Sequence, residues 1–266
     1  MKKIRIDDFV RHYEPLYYNP DSCPDGYKWQ YYGAKEGLEE KYKHLLKYYL
    51  NIDKLNATNY RAEEKVMKLL CSSTFNEISL AWKAGKVDWK NGQLITTDDF
   101  EKDDCYINGY GGHISKEDFQ KYCLELKTKK EIINKYVDDD NWKEAYKTVM
   151  KISPKNIGPV YNINTLFFLT GGKAPIYDVF AHKAVKALLF NISPIEVYLG
   201  GNPEKDDVNK VVAMYQEYML LLKMLFKDWF KIKKKEDMFI PRELDRALWV
   251  YGHSKKEPDP FQIGNF

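Results

Sequence analysis

Arginine is scarce in this chain: only five of its 42 basic residues are arginine, and the rest are lysine. With 39 acidic residues the net charge is just +3, so an overall basic surface is excluded and any anion-binding face must come from local clustering. Cysteine is sparse too. Cys23, Cys71, Cys105 and Cys123 lie far apart with no C-x-x-C pair, which excludes a zinc ribbon or a cysteine-held iron–sulfur cluster. Long apolar runs are missing, and MKKIRIDDF at the N-terminus leads into none. Neither a membrane span nor a signal peptide is expected, and scattered thiols fit a reducing compartment, so the predicted location is cytoplasmic. Internal repeats, low-complexity tracts and long linkers are absent.

What the chain does have is helical periodicity. Its 266 residues suffice for one large core or two lobes sharing a cleft. Apolar spacing predicts helices over 37–52, from Arg61 to about Ala84, over 114–136 and 141–152, from Asp207 to Lys231, and within PRELDRALWVYGH at 241–253. Ser115 and Asp118 form an S-x-x-D start signal. Residues 85–114 read as irregular, rich in glycine, with too thin a pattern to establish a strand pair. The fold class is mainly α.

The most informative stretch runs from Lys155 to Asp178, KNIGPVYNINTLFFLTGGKAPIYD. Ser153-Pro154 ends the preceding helix, because proline lacks an N–H and biases its predecessor out of the helical region. Gly158 permits a turn, Pro159 suits a first helical position, and VYNINTLFFL continues as a helix. The N–H groups that open this second helix could hold a phosphate oxygen, a contact that grips a backbone without reading bases. Gly171-Gly172 closes the helix. Asp178 then precedes VFAHKAVKALLF, where it is placed to cap the next helix. Capping alone accounts for an acid there; the functional alternative is that a carboxylate held by helix N–H groups stabilises positive charge on a sugar or orients water towards it.

The order of helix, I-G-P turn, helix and P-I-Y-D resembles the helix-hairpin-helix superfamily of DNA glycosylases, particularly its 8-oxoguanine glycosylase-like branch. The likeness is specific over residues 141–190 and topological elsewhere. Gly158 matches the second glycine of the family's hairpin, Asn156 stands where the first would be, and Asp178 falls at the spacing of the catalytic aspartate. Val160 occupies the place of the lysine that gives bifunctional members strand-cleaving activity, so the resemblance implies a monofunctional enzyme. Lys147, Lys155 and Lys183 are the nearest alternative amines.

The resemblance further implies two helical lobes around a cleft with the motif at their junction, one lobe formed by 1–54 and 156–266 and the other by 55–155. It implies DNA as partner, with phosphate contacts from Lys155, Asn156, Ile157, Gly158, Val160, His182 and Lys183. A base pocket is expected among Asn108, Tyr110 and His113 of a glycine-rich loop and among Asp245 and Trp249, one helical turn apart, with Tyr251 and His253 just beyond. The bland readings are a polar turn for the loop, a core tryptophan beside a surface acid, and a surface histidine at 182. No cofactor or metal is expected apart from a monovalent cation at the hairpin, and the protein is expected to be a monomer. The activity implied is excision of a damaged or modified base, in repair or in defence against modified foreign DNA; the alternative is a DNA-binding protein without catalysis.

Overall fold

Ser115 shows how closely local chemistry sets the helix starts. Its hydroxyl accepts from the N–H of Asp118 at 3.1 Å, satisfying one of the donors that a helix leaves unpaired, and a helix runs from there. The computed structural model describes residues 9–10, 13–14, 87–90, 93–96, 104–107, 112–201, 203–232 and 242–253. Within them lie strands β1 (Val87–Lys90), β2 (Gln93–Thr96), β3 (Asp104–Ile107) and β4 (Gly112–Ser115). Helices follow: α1 (Lys116–Asp138), α2 (Trp142–Ile152), α3 (Pro159–Leu169), α4 (Val179–Phe190), α5 (Val208–Ile232) and α6 (Arg242–Gly252), with a 3-10 turn at Pro194–Glu196. Phe9, Val10, Tyr13 and Glu14 are also helical. The described chain is mainly helical.

The region read as irregular contains two antiparallel strand pairs, β1 with β2 and β3 with β4. Each strand has four residues, too few for alternation to stand out. The helices expected over 37–52 and 61–84 lie outside the described residues, as does most of what would establish two lobes.

Helix α3 is buried at every position from Pro159 to Leu169, the mark of a helix enclosed on all sides. Its ends follow from sequence: Pro159 sits in the first turn, and Gly171 and Gly172 take φ of 61° and 90° just past the end, a left-handed region that glycine enters without Cβ strain. Helices α1 and α2 pack on α3 and on each other, with Trp142, Ala145, Tyr146 and Val149 forming the buried stripe of α2. Helix α5 contributes Val211, Val212, Tyr215, Tyr218, Met219, Leu222 and Leu225 to the same core. At about 1.5–3 kcal/mol for each large apolar side chain removed from water, this stripe anchors α5 without any role for its aromatics in ligand stacking.

Helix α4 packs mainly against α6 and also against α5. The N-terminal residues reach the same place: Phe9 and Tyr13 meet the Tyr251 ring at centroid distances of 5.7 and 5.2 Å. Beside them Arg246 makes a buried ion pair with Glu14, its Nε and Nη2 donating to Oε1 at 3.0 and 2.6 Å. Among the described residues no helix is long and apolar enough to cross a membrane.

Candidate functional site

Asp178 stands at the end of a buried segment, Pro175-Ile176-Tyr177, whose backbone is fixed from several sides. Asn164 on α3 pairs with both polar groups of the Tyr177 backbone: the Tyr177 N–H donates to Asn164 Oδ1 at 2.7 Å, and Asn164 Nδ2 donates to the Tyr177 carbonyl at 2.9 Å. Tyr215 donates to the Pro175 carbonyl at 2.7 Å. Thr170 Oγ1 accepts from the Ala174 N–H at 3.1 Å. The Tyr177 ring is wholly buried, edge-on to Tyr218 at 5.3 Å. Asp178 leaves this segment in an extended conformation, and its Oδ1 accepts from the Phe180 N–H at 2.8 Å. The capping expectation holds: the acid closes the N-terminus of α4 and is half-buried there.

The C-terminal end of α6 comes to the same helix start. A Cβ on Gly252 would fall inside the van der Waals envelope of the Phe180 carbonyl, so only glycine lets the two backbones approach this closely. The approach carries His253 onto Phe180, their rings stacked at 3.4 Å and 25°, while Trp249 is a second ring neighbour of that imidazole, at 4.0 Å. His253 Nδ1 lies 2.7 Å from the Trp249 carbonyl. A carbonyl can only accept, so Nδ1 carries the proton and Nε2 keeps the lone pair. Burial lowers the His253 pKa to about 4; the Trp249 carbonyl and the Asp178 carboxylate oppose that shift and Lys183 adds to it. The imidazole is thus neutral at physiological pH and lies within electrostatic reach of both Asp178 and Lys183.

The turn between α2 and α3 presents a different chemistry. Lys155 and Asn156 are exposed, Gly158 is half-buried, and the Ile157 and Val160 side chains are buried. Ile157 and Val160 can therefore meet a phosphate only through their backbone. The turn is closed by the Ile157 N–H donating to the Pro154 carbonyl at 3.0 Å. Lys205 also reaches this turn, its Nζ donating to the carbonyls of Pro154 at 2.7 Å and Ser153 at 3.5 Å. The Lys205 ammonium thus brings a positive charge onto this turn. Burial lowers the Lys205 pKa; Asp206 opposes this and Lys155 adds to it.

His182 departs from expectation. The sequence places it on the DNA-facing side one turn after Asp178, but the ring is fully buried and belongs to the core between α4 and α5. Its Nδ1 lies 3.1 Å from the Tyr177 hydroxyl and its Nε2 3.4 Å from Glu217 Oε2. Burial lowers its pKa to about 4, against the pull of Glu217 and with a smaller push from Lys186. Tyr218 packs on the ring at a centroid distance of 5.5 Å and Glu217 faces Nε2, so the imidazole expected at a phosphate is instead enclosed in the core.

Of the expected base-pocket residues, Trp249 lies half-buried beside His253, and Asp245, one turn earlier, is buried at 4% exposure. Asn108 and Tyr110 lie outside the described residues; His113 is placed in β4 without a described side chain. Sequence reasoning gave no role to Asn164, Phe180 or Lys205, and named His253 only as lying just beyond Trp249. Gly252, just ahead of His253 at a helix end, was the one local signal of a close backbone approach. Comparison with protein families, curated proteins and solved structures gives no match to this chain.

Proposed function

We propose that the protein is a monofunctional DNA glycosylase that flips a modified base out of the stack and hydrolyses its N-glycosidic bond, with Asp178 as the catalytic carboxylate. The observation that carries this reading is the setting of Asp178: a carboxylate fixed at a helix N-terminus by the Phe180 N–H and within electrostatic reach of the His253 ring, which packs on Phe180 and Trp249. In the proposed reaction the bond from C1′ to the base nitrogen breaks and its electron pair leaves with the base. The Asp178 carboxylate stabilises the positive charge that develops at C1′. It then orients a water whose oxygen bonds to C1′ while the proton passes to the carboxylate. Oδ1 is engaged by Phe180, which leaves Oδ2 as the oxygen to face water and sugar. The aromatic rings are suited to stack on a flipped base.

Phosphate binding is assigned to the first turn of α3 with Lys155 and Asn156, where the Lys155 and Lys205 charges add to the helix dipole. Val160 is buried and has no nucleophilic atom, which supports hydrolysis over Schiff-base chemistry. A role in repair or in defence against modified foreign DNA, with a monomer acting on DNA, belongs to the same proposal. The competing reading, a DNA-binding protein without catalysis, draws on the fact that capping alone gives Asp178 an occupation.

The experiment is a panel of oligonucleotides, duplex and single-stranded, each carrying one modified base. After incubation each sample is divided, and one half is treated with hot alkali to cut abasic sites. Cleavage only after alkali is expected. Cleavage without alkali, with trapping by borohydride, would show that a lysine elsewhere acts as nucleophile, and DNA binding without base release would favour the non-catalytic reading.

A further inference from the structure

We propose that Asn164 is a positioning residue for Asp178, an inference that rests on the proposed glycosylase reading. The buried amide of Asn164 makes two antiparallel hydrogen bonds to the peptide groups of Tyr177, at 2.7 and 2.9 Å, directly before the acid. This pairing spans 13 residues of sequence and ties the middle of α3 to the entrance of α4. Asn164 is completely buried, so both halves of its amide are committed to one backbone.

The chemistry of the pairing is specific to an amide. It needs an acceptor and a donor side by side, at the reach of one methylene. Leucine can neither accept from the Tyr177 N–H nor donate to its carbonyl, so both of these buried bonds would be lost. An ionised aspartate would keep the acceptor but turn its second oxygen against the Tyr177 carbonyl. A protonated aspartic acid would restore the pattern, because its O–H donates where Nδ2 did.

Other groups bond to the backbone of the same segment further from the acid. Thr170 holds Ala174 and Tyr215 holds Pro175. They stabilise the loop, whereas Asn164 sets the peptide plane from which the Asp178 side chain departs. Because a displacement of about 1 Å at a reacting group costs roughly a hundredfold in rate, the last peptide before the acid is where geometry matters most.

The test uses the full chain and whichever modified oligonucleotide the wild type acts on, with single-turnover base release and DNA affinity measured separately. Asn164→Leu is expected to lower the single-turnover rate by about a hundredfold, in line with that displacement cost, with DNA affinity unchanged. Thr170→Val, which loosens the loop elsewhere, is expected to keep the wild-type rate. Asn164→Asp is expected to be impaired at pH 8 and to regain rate relative to wild type as pH falls towards 5.5, a recovery that a purely structural loss would not give. If Asn164→Leu fails to fold, the pH dependence of Asn164→Asp decides alone. Wild-type rates in Asn164→Leu or Asn164→Asp at pH 8, or an equal loss in Thr170→Val, would overturn the inference while Asp178→Asn remained inactive. Base release by no form of the protein would overturn the glycosylase reading and this inference with it.

Discussion

His182 and His253 enter the core as neutral rings, and both bear on stability. An ordinary histidine pKa of 6.5 falls to about 4 in each case, chiefly through burial. Between those values the unfolded chain binds protons that the folded chain refuses, so stability is complete above pH 6.5 and declines as pH falls towards 4. The expected loss is a few kcal/mol in order of magnitude for the two together. Urea unfolding at a series of pH values reads it, and the range from 6.5 to 5, above the titration of ordinary carboxylates, is the informative one. A flat profile there would contradict the burial of these rings. His182 was not legible as a core residue because its burial is decided by Tyr218 and Glu217, more than thirty positions away; Asp178 was legible as a cap because its partner, the Phe180 N–H, is two residues on.

Helix pairing repeats that contrast at the scale of the element. Starts and stops, such as Ser115, Pro159 and the Gly171-Gly172 pair, were readable because caps and breakers act within a few residues. The meeting of α6 with the start of α4 was not, since it depends on shape between Gly252 and Phe180, about seventy residues apart. Gly252 is its test. Gly252→Ala places a methyl against the Phe180 carbonyl, a backbone atom that can move only with the helix. Overpacking of this kind costs about 1–3 kcal/mol, and the variant is expected to melt several degrees lower, with base release falling as His253 and Trp249 shift from Asp178. A melting temperature equal to wild type would mean that α6 does not pack there. The short strands β1 to β4 went unread for another reason: their hydrogen bonds are made between strands, and four residues show little periodicity.

For the whole molecule, the described N-terminal residues are tied to α6 by the rings of Phe9 and Tyr13 on Tyr251 and by a buried ion pair, Glu14 with Arg246. Removing one member of such a pair strands a charge in the core, at about 3–5 kcal/mol. Glu14→Ala is therefore expected to lower global stability by that order in chemical denaturation; a change below about 1 kcal/mol, the range of exposed pairs, would mean that this end of the chain does not pack on α6. The resemblance to glycosylases, read from the turn at 153–158 and its distance to Asp178, marked the stretch to which the proposed site is assigned. It could not reveal the Asn164 pairing, the Lys205 ammonium on the turn, or the aromatic group at α6, because each joins residues that only folding brings together. The claim on which the account turns is that Asp178 breaks a bond. The most direct measurement compares wild type and Asp178→Asn for alkali-revealed strand cleavage on the modified-base panel, with DNA affinity measured alongside. The account predicts abasic sites from the wild type, none from Asp178→Asn, and equal binding by both; base release undiminished in Asp178→Asn would contradict it.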